Sequence, residues 1–261
     1  MHQMDLTEGV IWKKLILYAG PVVLSSLLQS AYSITDLIVA GWFIGKDGIS
    51  AINNASQVMM ILTQIIMGIT TGGNILMGQY FGSKDRSNRV KTNRTMFGFA
   101  LSAGALLSVL LFLLSRPILA ALRAPALEEA TAYLQVCSAG LIAIFGYNAL
   151  AAMLRSVGNS KQPFYCVAVT AGCNIALDCL FMGGFRWGVR GAALATVLAQ
   201  WASFVVCLVY VLRHRDLFGL VRRQISFHKD KMVQILKLGI PCAVQMTVVG
   251  LSWLAMTFLI N

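Results

Sequence analysis

Charge is what this 261-residue sequence lacks. Only 12% of its residues are Asp, Glu, Lys or Arg, while 57% are hydrophobic; a soluble domain carries about 25% charged residues. So few charges cannot cover the surface of a soluble globule. Disorder is excluded as well, because disordered chains are poor in apolar residues. Acids are scarcer still, with ten Asp and Glu against 21 Lys and Arg. Histidine occurs three times, at His2, His214 and His228, with spacings that suit no metal site. The six cysteines (Cys137, Cys166, Cys173, Cys179, Cys207 and Cys242) form no CxxC pair. They lie in apolar stretches and read as small packing residues. The class left is an integral membrane protein.

What is there supports that class. Residues 15–35, 48–83, 95–115, 130–154, 191–212 and 238–261 carry no charge, and residues 162–185 carry only Asp178. A helix needs about 20 apolar residues to cross ~30 Å of hydrocarbon. The seven windows therefore predict seven transmembrane helices. Barrel strands would alternate over ~10 residues, which these windows do not do. The first window is too long for the core of a cleavable signal peptide, and a second span follows it directly.

Basic residues set the orientation. With the N-terminus inside, the cytoplasmic face collects Lys13, Lys14, Lys84, Arg86, Arg89, Lys91, Arg94, Arg155, Lys161, Arg213, Arg215, Arg222, Arg223, Lys229, Lys231 and Lys237. Only Lys46, Arg116, Arg123, Arg186 and Arg190 fall outside. The expected protein is multi-pass in the cell (inner) membrane with a cytoplasmic N-terminus. The net charge of +11 is then a topology signal facing anionic lipid rather than a nucleic-acid surface. Trp12 falls at the inner boundary and Trp42 and Trp187 at the outer one, as interfacial aromatics do.

The expected organisation is a six-helix lobe over residues 1–212, a cytoplasmic linker over 213–236 and a seventh helix over 237–261. Leu217, Phe218, Leu220, Val221 and Ile225 interrupt the linker's charges, so part of it is expected along the membrane surface. The seventh span echoes the first, with Lys237-Leu238-Gly239-Ile240-Pro241 against Leu17-Tyr18-Ala19-Gly20-Pro21. Six intervening spans return the chain to the same side, so the repeat is parallel. This pattern implies a second six-helix lobe, of which the chain holds the first helix. On this reading the sequence is a fragment or a truncated product.

Two acids, Asp36 and Asp178, lie inside predicted spans. A charge at the bilayer centre costs at least ~2.5–3.5 kcal/mol, so such residues usually mark a function. Asp36 lies about five residues, or ~7–8 Å, below the outer boundary. Asp178 and Thr196 fall at a similar depth, and Asn174 shares a helix face with Asp178. Carboxylate, amide and hydroxyl oxygens suit a hard cation such as Na⁺. Two carboxylates close together in a low dielectric repel when both are ionised, so the same site suits a proton. Asn53, Asn54, Gln57 and Gln64 are candidates to line a cavity, and Pro21 is a candidate hinge. Gly68, Gly72, Gly73, Gly78 and Gly82 predict close helix packing or a hinge.

These residues resemble the multidrug and toxic compound extrusion (MATE) transporters along the whole chain. The first span reads Gly20-Pro21, then Asp36-Leu37-Ile38-Val39-Ala40-Gly41. After the second, Gly78-Gln79-Tyr80-Phe81-Gly82 resembles the family's Gln-x-x-Gly motif. Arg155-Ser156-Val157-Gly158-Asn159-Ser160-Lys161-Gln162-Pro163 is similar to its Arg-x-x-Gly-x-x-Lys-x-Pro loop. The later spans carry Asn174-Ile175-Ala176-Leu177-Asp178 and Gly188-Val189-Arg190-Gly191-Ala192-Ala193-Leu194-Ala195-Thr196.

The resemblance implies an all-α integral membrane protein, half of a twelve-helix transporter with two six-helix lobes. It implies export of organic compounds in exchange for H⁺ or Na⁺, with no other cofactor. Its cation-binding residues map onto Asp36, Asn174, Asp178 and Thr196, which are the Na⁺ ligands if the coupling ion is sodium. Where some members use a Glu in the seventh helix, this sequence has Gln245. An acidic cavity would favour lipophilic cations. Two other readings stand beside export: flipping of a lipid-linked amphiphile by a relative of the same superfamily, and a truncated membrane protein that transports nothing. A membrane-embedded enzyme would need an interfacial acid cluster or a His/Asp pair, and neither is present.

Overall fold

The computed structural model describes residues 11–122, 124, 126–218 and 227–260. Every regular element among them is helical. In chain order they are α1 (Ile11–Phe43), α2 (Gly45–Gly82), α3 (Arg86–Ala121), α4 (Leu127–Ser138) and α5 (Leu141–Ser156). They continue with α6 (Lys161–Asp178), α7 (Gly188–Arg213), the short α8 (Arg215–Phe218) and α9 (Lys229–Ile260). A π-helix, Cys179–Gly184, prolongs α6. Among the described residues, six helices are long and apolar enough to cross a membrane, and the bent α4–α5 pair reaches that length and apolarity only when taken together. The protein is a multi-pass helical membrane protein.

The fourth span departs from the expected continuous helix, because α4 and α5 meet at a 47° bend. Gly140 lies at the break, and a Cβ there would collide with the Gln200 side chain of α7. The break frees backbone groups that lipid could not satisfy. The Trp201 indole N–H donates to the Ala139 carbonyl at 3.3 Å, and Gly140 N–H donates to the Cys137 carbonyl at 2.9 Å. A neighbouring helix thus supplies one of the replacement bonds.

The chain alternates between two ends of the bundle. The end with the α2–α3, α5–α6 and α7–α9 connections carries most of the basic residues and is called here the basic end. Its α2–α3 turn is closed by Asp85, whose carboxylate accepts from Asn88 N–H at 3.0 Å and from Asn88 Nδ2 at 2.7 Å. These donors hold the Asp85 carboxyl below the usual carboxylate range. Arg89 Nη2 donates to the Leu217 carbonyl at 3.2 Å, and Asn93 Nδ2 donates to the Phe218 carbonyl at 2.9 Å. The end of α8 is thereby tied to α3, and Phe218 is fully buried.

Of the expected linker, residues 219–226, including Leu220, Val221 and Ile225, lie outside the described residues. Residues 229–236 form the first two turns of α9. This helix lies tightly on α2. A Cβ on Gly68 would overlap the Ala243 backbone, and one on Gly72 would overlap Gly239. Gly68/Gly72 and Gly239/Ala243 are small residues four apart on each helix, the spacing that lets two backbones approach. Lys231 Nζ donates to Tyr80 Oη at 2.8 Å, and Tyr80 O–H donates to Gln234 Oε1 at 3.1 Å. Gly73 is instead covered by Met96 of α3, and Gly78 and Gly82 have space around them.

α1 is the least enclosed helix, with Leu15, Ile16, Leu17, Val23, Leu27 and Ile34 all more than half exposed. Pro21 lies in its interior and cannot donate a helical hydrogen bond. Ser25, Ser26, Ser30, Ser33 and Thr35 each donate to the carbonyl four residues back. Proline and back-bonded hydroxyls both favour bending.

Candidate functional site

The four expected cation-site residues converge from three helices. α1 brings Asp36 and α6 brings Asp178, and the two carboxyl groups are close enough to interact electrostatically. Asn174 is one turn before Asp178, on the same face of α6. Its Nδ2 donates to Thr196 Oγ1 of α7 at 3.4 Å, a long bond. Asp178 is fully buried and Asn174 is 2% exposed.

The site is rich in oxygen and poor in donors. Asp36 Oδ1, Asn174 Oδ1 and both carboxylate oxygens of Asp178 are buried with no hydrogen-bond donor from the protein. Buried polar atoms normally find partners. A proton shared by the carboxyls, or a hard cation held by carboxylate, amide and hydroxyl oxygens, would satisfy this set. The residues present therefore fit H⁺ or Na⁺. Among the described residues, no group of three or more His, Cys, Asp or Glu comes together.

The local backbone is unusual at this level. Directly after Asp178, α6 widens into the π-helix Cys179–Gly184, a form that often marks functional sites. Phe181 and Trp187 stack at 5.3 Å beyond it, and Phe185 joins them. Tyr32, Tyr133 and Cys137 lie within electrostatic reach of Asp36. Tyr32 stands one turn before Asp36 on α1, so helical spacing alone could have found it. Tyr133 and Cys137 come from α4, and nothing in the sequence signals them.

A cavity of about 260 Å³ lies between the helices. Tyr32 lines it, so the acid pair lies at its far end. Ser25, Thr63, Asn148, Thr170 and Gln200 make its walls polar, and Val22, Met67 and Val167 make them apolar. Arg155, Ser160 and Pro163 line it at the basic end. Arg155 was expected in a cytoplasmic loop; it belongs to the last turn of α5. The cavity walls contain no acid, and Arg155 is their one charged residue. The expected acidic lining is thus not found here, because Asp178 is withdrawn into the helix contacts above the cavity.

Pro21 precedes the cavity-lining Val22 without lining the cavity itself. Gln57 is partly buried and Gln64 packs against α9, where a Cβ on Gly250 would stand 2.6 Å from Gln64 Oε1. Neither glutamine lines the cavity.

The chain is thus a membrane-spanning helical bundle with two buried acids beside an internal polar cavity. The MatE family model matches residues 21–180, and the chain belongs to that family. It is 29% identical over 260 residues to the probable multidrug resistance protein YoeA of Bacillus subtilis, covering 96% of this chain and 56% of that protein. It is 23% identical to the multidrug export protein MepA of Staphylococcus aureus, covering 95% of this chain and 56% of that one. The fold matches the outward-facing conformation of a multidrug resistance MATE family transporter with a TM-score of 0.87 and 21% identity. That match covers 94% of this chain and 55% of the other. The chain spans about half the length of the relatives it matches.

Proposed function

We propose that this chain is the cation-coupling lobe of an antiporter that exports organic compounds in exchange for H⁺ or Na⁺. It would work with a second six-helix lobe in the cell membrane, with the basic end in the cytoplasm. Residues 1–212 would form the first lobe, with a connection following and α9 opening the second. The observation that carries this reading is the meeting of Asp36 with Asp178 around buried oxygens that have no donor.

Loading a proton or Na⁺ removes the repulsion between the two carboxylates. α1 can then move toward α6, and the serine-rich, proline-containing helix supplies the bend. Movement of α1 alters the cavity through Val22, Ser25 and Tyr32, so cation and substrate compete. Such coupling of opposite sign is what antiport requires. A lipophilic cation, the class expected on charge grounds, would find its counter-charge only at the acid pair. A second reading, movement of a lipid-linked amphiphile, is favoured by one observation, the basic Arg155 in the cavity wall.

The test is ion-gradient-driven efflux from proteoliposomes containing this lobe joined to a second lobe. Asp36→Asn abolishes the ion dependence while insertion is unchanged. Parental efflux in that variant would remove Asp36 from the mechanism.

A further inference from the structure

We propose that the basic end of the lobe cavity is a binding subsite for an organic oxyanion, with Arg155 as its counter-charge. This rests on the reading of the cavity as the substrate site and adds the chemical class of one substrate group. The Arg155 side chain is only partly exposed, and a half-buried guanidinium is costly unless a partner or water meets it. Arg155 lines the cavity, whose walls hold no carboxylate, and it forms no ion pair among the described residues.

The surroundings add donors. Ser160 is 2% exposed, its Oγ has no hydrogen-bond partner, and it lines the same end of the cavity. It precedes the first turn of α6, an 18-residue helix whose positive dipole end therefore lies at the subsite. Two further contacts hold the frame rigid. Tyr18 O–H donates to the Arg155 carbonyl at 3.2 Å, and Tyr147 O–H donates to the Pro163 carbonyl at 3.2 Å. Asn159 bridges the α5–α6 turn to α7 by donating to Tyr210 Oη at 3.2 Å, and its Oδ1 accepts from Gln162 N–H at 3.2 Å.

A guanidinium with a free hydroxyl at a helix N-terminus recognises carboxylate, sulfonate or phosphate. The apolar walls above, at Val22, Ile144 and Val167, would take the compound's body. The ligand class is therefore an organic acid or an amphiphile with an anionic head. The charged end faces the basic end of the bundle, and the body points toward the acid pair.

The test is equilibrium binding to the purified 261-residue chain in neutral-lipid nanodiscs, with no ion gradient. The probes are 2-naphthoate and its neutral isostere 2-naphthamide. The expected result is naphthoate binding at least about tenfold tighter than the amide, the effect of one charge-assisted bond. Arg155→Gln should remove that preference while retaining amide binding, which shows that the cavity is intact. Arg155→Lys should keep part of the preference. Displacement of naphthoate by dihexanoyl phosphatidate, but not by dihexanoyl phosphatidylcholine, assigns the oxyanion to a lipid headgroup. Displacement by soluble aryl carboxylates alone assigns it to organic acids, and either pattern supports the subsite. Equal binding of acid and amide that Arg155→Gln leaves unchanged overturns it and leaves the cavity reading standing. Binding of neither probe overturns both.

Discussion

Replacing Asp178 by Asn is the sharpest perturbation of the proposed coupling site. Asp178 is fully buried and neither of its oxygens has a donor. Its neighbour is the carboxyl of Asp36. Two unit charges ~4 Å apart at an effective dielectric of ~20 repel by roughly 4 kcal/mol. That makes the doubly ionised, unloaded pair rarer by about three factors of ten, so the pair holds a proton or a Na⁺ and releases it only when α1 moves. In Asp178→Asn the repulsion is gone. The new amide can donate to the Asp36 carboxylate, which stays ionised and bonded with no cation bound. Loading then has almost no driving force, and ion-driven efflux should fall to background while insertion is unchanged, since the side chains have nearly equal volume.

The assay is substrate efflux from proteoliposomes under an imposed H⁺ or Na⁺ gradient, with the lobe joined to its second half. Thr196→Ala separates the two ions, because Na⁺ needs the hydroxyl oxygen as a ligand and a proton does not. A Na⁺-coupled protein therefore loses coupling in Thr196→Ala and an H⁺-coupled one keeps it. Efflux by Asp178→Asn at the parental rate, with the parental ion dependence, would refute the reasoning and leave Asp178 a structural polar group.

Two further outcomes are expected. Cysteine introduced at the exposed Lys84, in the α2–α3 turn, should resist impermeant thiol reagents from outside intact cells, while cysteine at Arg116 should react. Labelling at Lys84 would reverse the orientation; Arg89 is unsuitable because it is buried against α8. Gly72→Val should destabilise the chain by about 1–3 kcal/mol in thermal unfolding, since its side chain would overlap Gly239 of α9. Gly78→Ala, whose Cβ meets nothing closer than the Ser156 carbonyl at 3.9 Å, should be neutral or stabilising by up to about 1 kcal/mol; equal losses in both would refute the close α2–α9 contact.

Much of this protein was determined by the order of its residues alone. Lipid favours apolar side chains and internally bonded backbone, so windows with no charge, or with Asp178 alone, marked the spans before any contact was known. Helical spacing put Asn174 on the face of Asp178, and depth put Asp36 and Thr196 at the same level. What only the tertiary structure decided is what faces what. Asp36 and Asp178 lie far apart in sequence, and their meeting depends on how α1 packs on α6. At the break, Gln200 and Trp201 of α7 sit against Gly140 and Ala139, contacts that only the packing of α7 on this span could reveal.

Arg155 shows the difference best. By sequence it is one more basic residue beside a glycine-containing turn, and charge counting places it in the cytoplasm. Its place at the cavity depends on where the last turn of α5 falls relative to Tyr18 of α1 and Ser160 before α6, which separate parts of the chain bring to the same end of the bundle. Hydrophobic patterning reports how deep a residue lies, because depth is a property of one helix in lipid. Whether a side chain faces lipid, a neighbour or a cavity is a property of several helices together, and it is set only when they pack.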